Sequence, residues 1–297
     1  MPIASAASVS SAFTPAVLAA IGRLRLIGRT LANSRYQGGQ RSRLRGRSLD
    51  LSDYREYVSG DDLRDIDWSA YARTETLFVR VFSMEAALPL RIIVDPSASM
   101  RWGEGTTKYV AALQAAVALA LIAARSQGRV HLIAGRGYEA DISSIREEME
   151  FLKRVDRFEA SGELAELIEQ ELVHGGGRQV VVFSDGYDLE ALLPLLRRVA
   201  GAKSLPFLLQ TFHQDELDPP VRGELTLVDS ESLREMHTSL DQEQLAEYKA
   251  RLSRFMDATR SECRRAGIGY GFIAPGLSLE QVAARTFVEA GLVELVA

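Results

Sequence analysis

The sequence predicts an α/β fold built on a mostly parallel sheet with helices on both faces. Short apolar runs such as LRIIVD and RQVVVFSD end abruptly in an acid, as strands covered on both faces do. Helical stretches separate these runs, and the alternation continues from about Leu90 to the end of the chain. With 297 residues, 46% of them hydrophobic, the chain can bury a large core, which excludes disorder as its default state.

Taken in order, the opening MPIASAASVSSAFTPAVLAAIG is apolar but has no basic residue before Arg23, so it does not read as a signal peptide. Arg23 to Arg47 holds eight arginines and no acid, with Gly38, Gly39 and Gly46 among them, the composition of an arm or linker. YREYVSGDDLRDIDW comes next, densely charged around Tyr54, Tyr57, Leu63, Ile66 and Trp68. Its expected role is structural: Gly60 makes a turn, Asp61 or Asp62 caps the element after it, Arg64 neutralises neighbours, and Trp68 packs as an anchor. An acidic docking surface or second cation site formed by Asp61, Asp62, Arg64, Asp65 and Asp67 is the alternative.

LRIIVD opens the alternating part, and a helix is expected from about Thr107 to Ser126. Its apolar run from Tyr109 to Ala124 is interrupted by Gln114 and is shorter than the roughly 20 residues of a membrane span, so it reads as a buried helix. RVHLIAG is a strand, YEADI a short edge strand, and helices cover Ser144 to Arg157 and Glu163 to Leu172. RQVVVFSD is a buried strand, DLEALLPLLRRVAG an amphipathic helix closed by Gly201, and SLPFLLQTFH a strand. The tail reads as a strand GELTLVD, a polar helix from about Asp241 to Ala266 with Gly267 as its C-cap, a strand GIGYGFIA, and a last helix beginning near Ser278.

Ligands of such sheets bind at the carboxyl ends of the strands, where Asp95 and Asp185 both fall. Asp95, Ser97 and Ser99 alternate along the DPSAS loop, so their oxygens can face one side of the turn. If the two strands are neighbours, the carboxylates approach a common point. At ~5 Å and an effective dielectric of ~20 their repulsion is about 3 kcal/mol, so something positive belongs between them. Aspartate and serine oxygens favour Mg²⁺, with Mn²⁺ or Ca²⁺ as alternatives, over zinc or copper. A site with few protein ligands keeps coordination positions open for water or a partner's carboxylate. The plainer alternative is that Asp95 and Ser97 cap the next helix.

DPSAS, VVVFSDG and the β–α order resemble von Willebrand factor A domains, whose metal-ion-dependent adhesion site uses a DxSxS loop. The resemblance implies Asp95, Ser97 and Ser99 as first-loop metal ligands and Asp185 as the third-loop aspartate, contacting metal directly or through water. The second-loop threonine has no counterpart between Ala134 and Asp185, and Ser161 in RFEASGEL is the nearest substitute. More specifically, the Y-x-x-Y-x-x-GDD-x-R-x-IDW pattern, about two dozen residues before LRIIVD, resembles the domain of unknown function 58 family from roughly Arg41 to the C terminus. That family joins such a segment to a von Willebrand A-like domain, so the expected division is an N-terminal extension over 1–86 and the A-like domain over 87–297. Its members are commonly encoded beside MoxR-type AAA+ ATPases, which implies an adaptor or substrate-recognition partner of such a motor.

The charge of -5 gives no global affinity for polyanions, and it argues for a cytoplasmic protein. Nucleic-acid binding would rest on the Arg23–Arg47 segment alone, where only Tyr36 offers a stacking aromatic. The single cysteine, Cys263, excludes an intrachain disulfide and a cysteine-rich zinc site, and the thiol is expected to be inert. A metal-dependent hydrolase or phosphatase using Asp95 and Asp185 is the enzymatic alternative. Against it, the chain lacks G-x-x-x-x-G-K-[ST] and G-x-S-x-G, and DPSAS lacks the second acid of a DxD loop. His131, His174, His213 and His237 fall in different elements without zinc-site spacing. GRGYEA joins two strands and serves as a tight turn. The expectation is therefore a non-enzymatic, metal-dependent protein-binding module without a membrane span.

Overall fold

The computed structural model describes residues 8–27, 50–58, 66–83, 89–103, 105–126, 128–173, 175–229 and 234–296. The chain divides into two compact units, residues 1–27 with 88–297, and residues 28–87. The larger unit thus includes the start of the chain, which the sequence reading grouped with the extension.

That start holds helix α1 (Pro15–Ile21), with Thr14 as N-cap and proline in its first turn, where no amide donor is needed. Strand β1 (Leu24–Leu26) then pairs antiparallel with the last strand, Leu24 opposite Leu295. In the smaller unit, β2 (Asp50–Glu56) pairs antiparallel with β3 (Phe78–Ser83), and α2 (Trp68–Thr74) lies between them in sequence. The side chain of Asp67 accepts bonds from the amides of Ser69 and Ala70 and so caps α2. Ile66 is buried and bridges to Val79. Trp68 does not pack as an anchor: it is 60% exposed, with its ring edge-on to Tyr71. It occupies the first position of a two-turn helix whose residues are all at least partly exposed, so Ile66 takes the buried place instead. Gly60, Asp61, Asp62, Leu63, Arg64 and Asp65, and most of the Arg23–Arg47 segment, lie outside the described residues.

The larger unit resumes with β4 (Leu90–Val94), α3 (Lys108–Arg125), β5 (Val130–Gly135), β6 (Tyr138–Ile142), α4 (Glu148–Val155) and α5 (Leu164–Val173). Next come β7 (Gln179–Ser184), α6 (Leu189–Gly201), β8 (Leu205–Thr211) and the single turn α7 (Gln214–Leu217). The chain ends with β9 (Gly223–Val228), β10 (Glu235–Leu240), α8 (Gln242–Arg265), β11 (Gly269–Ile273), α9 (Leu279–Gln281) and β12 (Val293–Leu295). The central sheet has the order β11-β8-β7-β4-β5-β6, parallel except for the antiparallel edge strand β6. This is a Rossmann-like layout. β9 and β10 form a separate antiparallel ribbon that the sequence reading saw only as one strand.

Strand periodicity divides the core. Leu90, Ile92 and Val94 of β4 face the cluster around α3, whereas Ile93 joins the cluster built on α5 and α6. α3 is apolar nearly all round, as a helix covered on all sides must be. Among the described residues it alone has the length and hydropathy of a membrane span, and in this fold most of it is buried in the core. β11 packs so closely on β8 that a Cβ on Gly269 would lie 2.1 Å from Phe207, which restricts that position to glycine.

Candidate functional site

β4 and β7 are neighbours, with Val94 opposite Phe183, and the Asp95 amide bonds the Phe183 carbonyl at 2.9 Å. The two strand-end acids are therefore brought to one edge. Asp95 does not cap α3, since Thr107 does that. The Asp95 carboxylate instead accepts the Ser97 amide at 2.9 Å and the Ser184 hydroxyl at 2.5 Å. The Gly186 amide donates to the same Ser184 oxygen at 3.0 Å. Gly186, with φ 71°, supplies the left-handed turn that carries the chain past Asp185. The Ser97 and Ser99 hydroxyl oxygens lie 3.1 Å apart.

Asp185 has a cation of its own. The Lys108 ammonium sits 2.7 Å from Asp185 Oδ2 and 2.7 Å from Glu216 Oε1, with its side chain 1% exposed. It also lies 4.9 Å from the centre of the Tyr187 ring. The Tyr187 hydroxyl donates to Glu216 Oε1 at 2.9 Å, and the His213 amide donates to Glu216 Oε2 at 2.7 Å. The Tyr187 amide donates to Asp185 Oδ1 at 3.2 Å, and Gln210 holds the Asp185 carbonyl at 2.8 Å. Lys108 starts α3, Asp185 follows β7 and Glu216 lies on α7 after β8, so the connections that leave β4, β7 and β8 meet at one ammonium.

Among the described residues Asp95 lacks such help, since its hydrogen-bond partners there are neutral. Burial pushes its carboxyl above the ordinary carboxylate range, the Asp185 charge adds to this, and the bonds from Ser184 and Ser97 oppose it. Asp95, Ser97, Ser99, Arg101, Asp185 and Asp188 help line a cleft of ≈ 650 Å³. No group of three or more His, Cys, Asp or Glu poised for a metal occurs among the described residues. Protein donors here would be one carboxylate and two hydroxyls. These fit a hard cation, because carboxylate and hydroxyl oxygens are the donors that such ions take. The 3.1 Å between the two serine oxygens is that of a hydrogen bond between the hydroxyls, which keeps both on one side of the loop.

Ser161 stands beside the cleft, whose lining includes Gly162 and Glu163. Its hydroxyl donates to the Arg136 carbonyl at 3.3 Å. The other singled-out residues are dispersed: His131 pairs with Asp141 on the β5–β6 edge, His213 caps α7, and His237 bonds Thr226 on the ribbon. His174 lies outside the described residues. Cys263 is buried, and desolvation pushes its thiol up to about 11. Lys108, Ser184, Tyr187 and Glu216 escaped the sequence reading. Only Lys108 leaves a trace there, as a cation at the start of an otherwise apolar helical run.

Two solved structures resemble parts of the fold. One is the conserved hypothetical protein BatB from Bacteroides thetaiotaomicron, 13% identical, covering 68% of this chain and 98% of that one at a TM-score of 0.39. The other is an aerotolerance-related membrane protein from Bacteroides fragilis NCTC 9343 with multiple mutations to serines, 17% identical, with the same coverages and TM-score. A comparison with curated proteins finds none that matches. The family described as protein of unknown function DUF58 matches residues 53–258, from β2 into α8 and across the whole candidate site, and the chain belongs to that family.

Proposed function

We propose that the larger unit is a von Willebrand factor A-like domain that binds another protein through a divalent cation, Mg²⁺ by default. The carrying observation is the buried Asp95 carboxylate, whose hydrogen-bond partners among the described residues are neutral, beside two serine hydroxyls that are hydrogen-bonded to each other on the same loop. Asp95, Ser97 and Ser99 would hold the ion, with Asp185 as the second acid of the site. Ser161 would have to give up its bond to Arg136 to take part. When bound, the ion supplies positive charge and open coordination positions for a partner's carboxylate. Asp95 keeps the loop in place by accepting the Ser97 amide, so that both serine hydroxyls stay together. The family resemblance supports a cytoplasmic adaptor of a MoxR-type AAA+ ATPase as the wider role.

A purified MoxR-type ATPase from the same genome provides the test. We expect wild-type chain to retain it in Mg²⁺, and both chelator and Asp95→Ala to remove at least nine tenths of the binding. Binding that persists in chelator would overturn the metal-dependent reading.

A further inference from the structure

We infer that Lys108 is the resident cation of this site and holds Asp185 out of the metal's coordination sphere, so that a divalent ion is ligated from the DPSAS loop alone. The inference deepens the metal-binding reading and rests on it. An ammonium that is 1% exposed would be strongly disfavoured without matched charge, and here it has two carboxylates at 2.7 Å and an aromatic face. Both oxygens of Asp185 are engaged, Oδ2 by Lys108 and Oδ1 by the Tyr187 amide. Its backbone carbonyl is fixed by Gln210, whose own oxygen accepts the Tyr270 hydroxyl at 2.7 Å. Glu216, the other acid on Lys108, is tied by Tyr187, by His213 and, through its carbonyl, by Tyr248 at 2.7 Å. Direct ligation by Asp185 would either set the ion and the buried ammonium on one carboxylate, where the two cations repel, or strand the ammonium on a single acid. Among the described residues Asp95 has no corresponding tether to a charge. The two strand-end acids, alike in the sequence, thus have different roles: Asp95 faces the ion, and Asp185 faces Lys108.

A mutant cycle on metal affinity separates this from direct ligation. The Lys108→Met/Glu216→Gln pair removes one positive and one negative charge, so the site keeps its net charge while Asp185 is released. Isothermal titration of Mg²⁺ and Mn²⁺ should show at least tenfold tighter binding in this pair than in wild type. Asp185→Asn should cost at least tenfold more affinity in the pair than in the wild-type background. Equal costs in the two backgrounds would overturn the inference. Melting temperature gives a second reading, with the ion stabilising the pair more than it stabilises wild type. If the pair does not fold, Lys108→Leu/Glu216→Gln, which likewise removes the donor to Asp185, runs the same cycle. A wild type that binds no ion beside a pair that does would sink the metal reading and, with it, ligation by the DPSAS loop alone, while the Lys108–Asp185 pairing itself would stand. Absence of binding in both would sink both.

Discussion

Asp95 and Asp156 are both acids held by hydroxyl and amide donors, yet their carboxyls move in opposite directions. At Asp95 burial dominates and raises the value. At Asp156 burial also raises it, but the hydrogen bonds from Ser10, Ser8 and Val9 together outweigh that and leave it below the ordinary 3.8. The Ser10 amide donates to Asp156 Oδ1 at 2.8 Å. Because the folded value is depressed, Asp156 stabilises the fold above the unfolded value, and this contribution is lost as pH falls through the folded one. The stability gap between wild type and Asp156→Asn should therefore be full at pH 7 and shrink below about 3.8, as read by denaturant titration at several pH values. A gap that stays constant down to pH 2 would contradict the assignment. At this scale the candidate site was half legible. Asp95 and Asp185 stand out because apolar runs stop at them, whereas the partner of Asp185 is Lys108, 77 residues earlier, and no local pattern carries that pairing.

Elements were legible where one strand or helix buries a continuous apolar surface. β4, β7 and β8 each hold such a run, and α3 is apolar nearly all round, so these elements could be read without knowing the fold. The β1–β12 pair and β10 could not. β1 pairs with a strand at the other end of the chain, and β10 is a polar segment, EMHTSL, that lacks an apolar alternation. The β9–β10 ribbon is unusual in another respect: most of its residues are exposed, Val228 at 57% and Met236 at 59% among them. A two-stranded ribbon without a packed face is marginally stable. Hydrogen exchange should find the amides paired between β9 and β10 exchanging orders of magnitude faster than those between β7 and β8. Equal protection would show that the ribbon is held by something other than its own pairing.

The whole molecule places its chemistry by topology. Three parallel strands, β4, β7 and β8, lie side by side with their carboxyl ends at one edge, and each delivers one part of the site there: the DPSAS loop, Asp185 and the Glu216 turn. The helix after the first of these strands contributes Lys108 at its first residue. Order along the chain is enough to put Asp95 and Asp185 at the carboxyl ends of strands, but neither the pairing of β4 with β7 nor the arrival of Glu216 can be read from it. How the charges on this edge divide depends on side chains arriving from three connections, and that could be read only from the assembled sheet. The central claim is that the DPSAS half of this edge holds a divalent cation, and it is tested most directly by titrating Mg²⁺ and Mn²⁺ calorimetrically into chelator-stripped protein, wild type against Asp95→Ala. The account predicts saturable binding heat in the wild type and none in a folded Asp95→Ala variant; equal heats in both, or none in either, would contradict it.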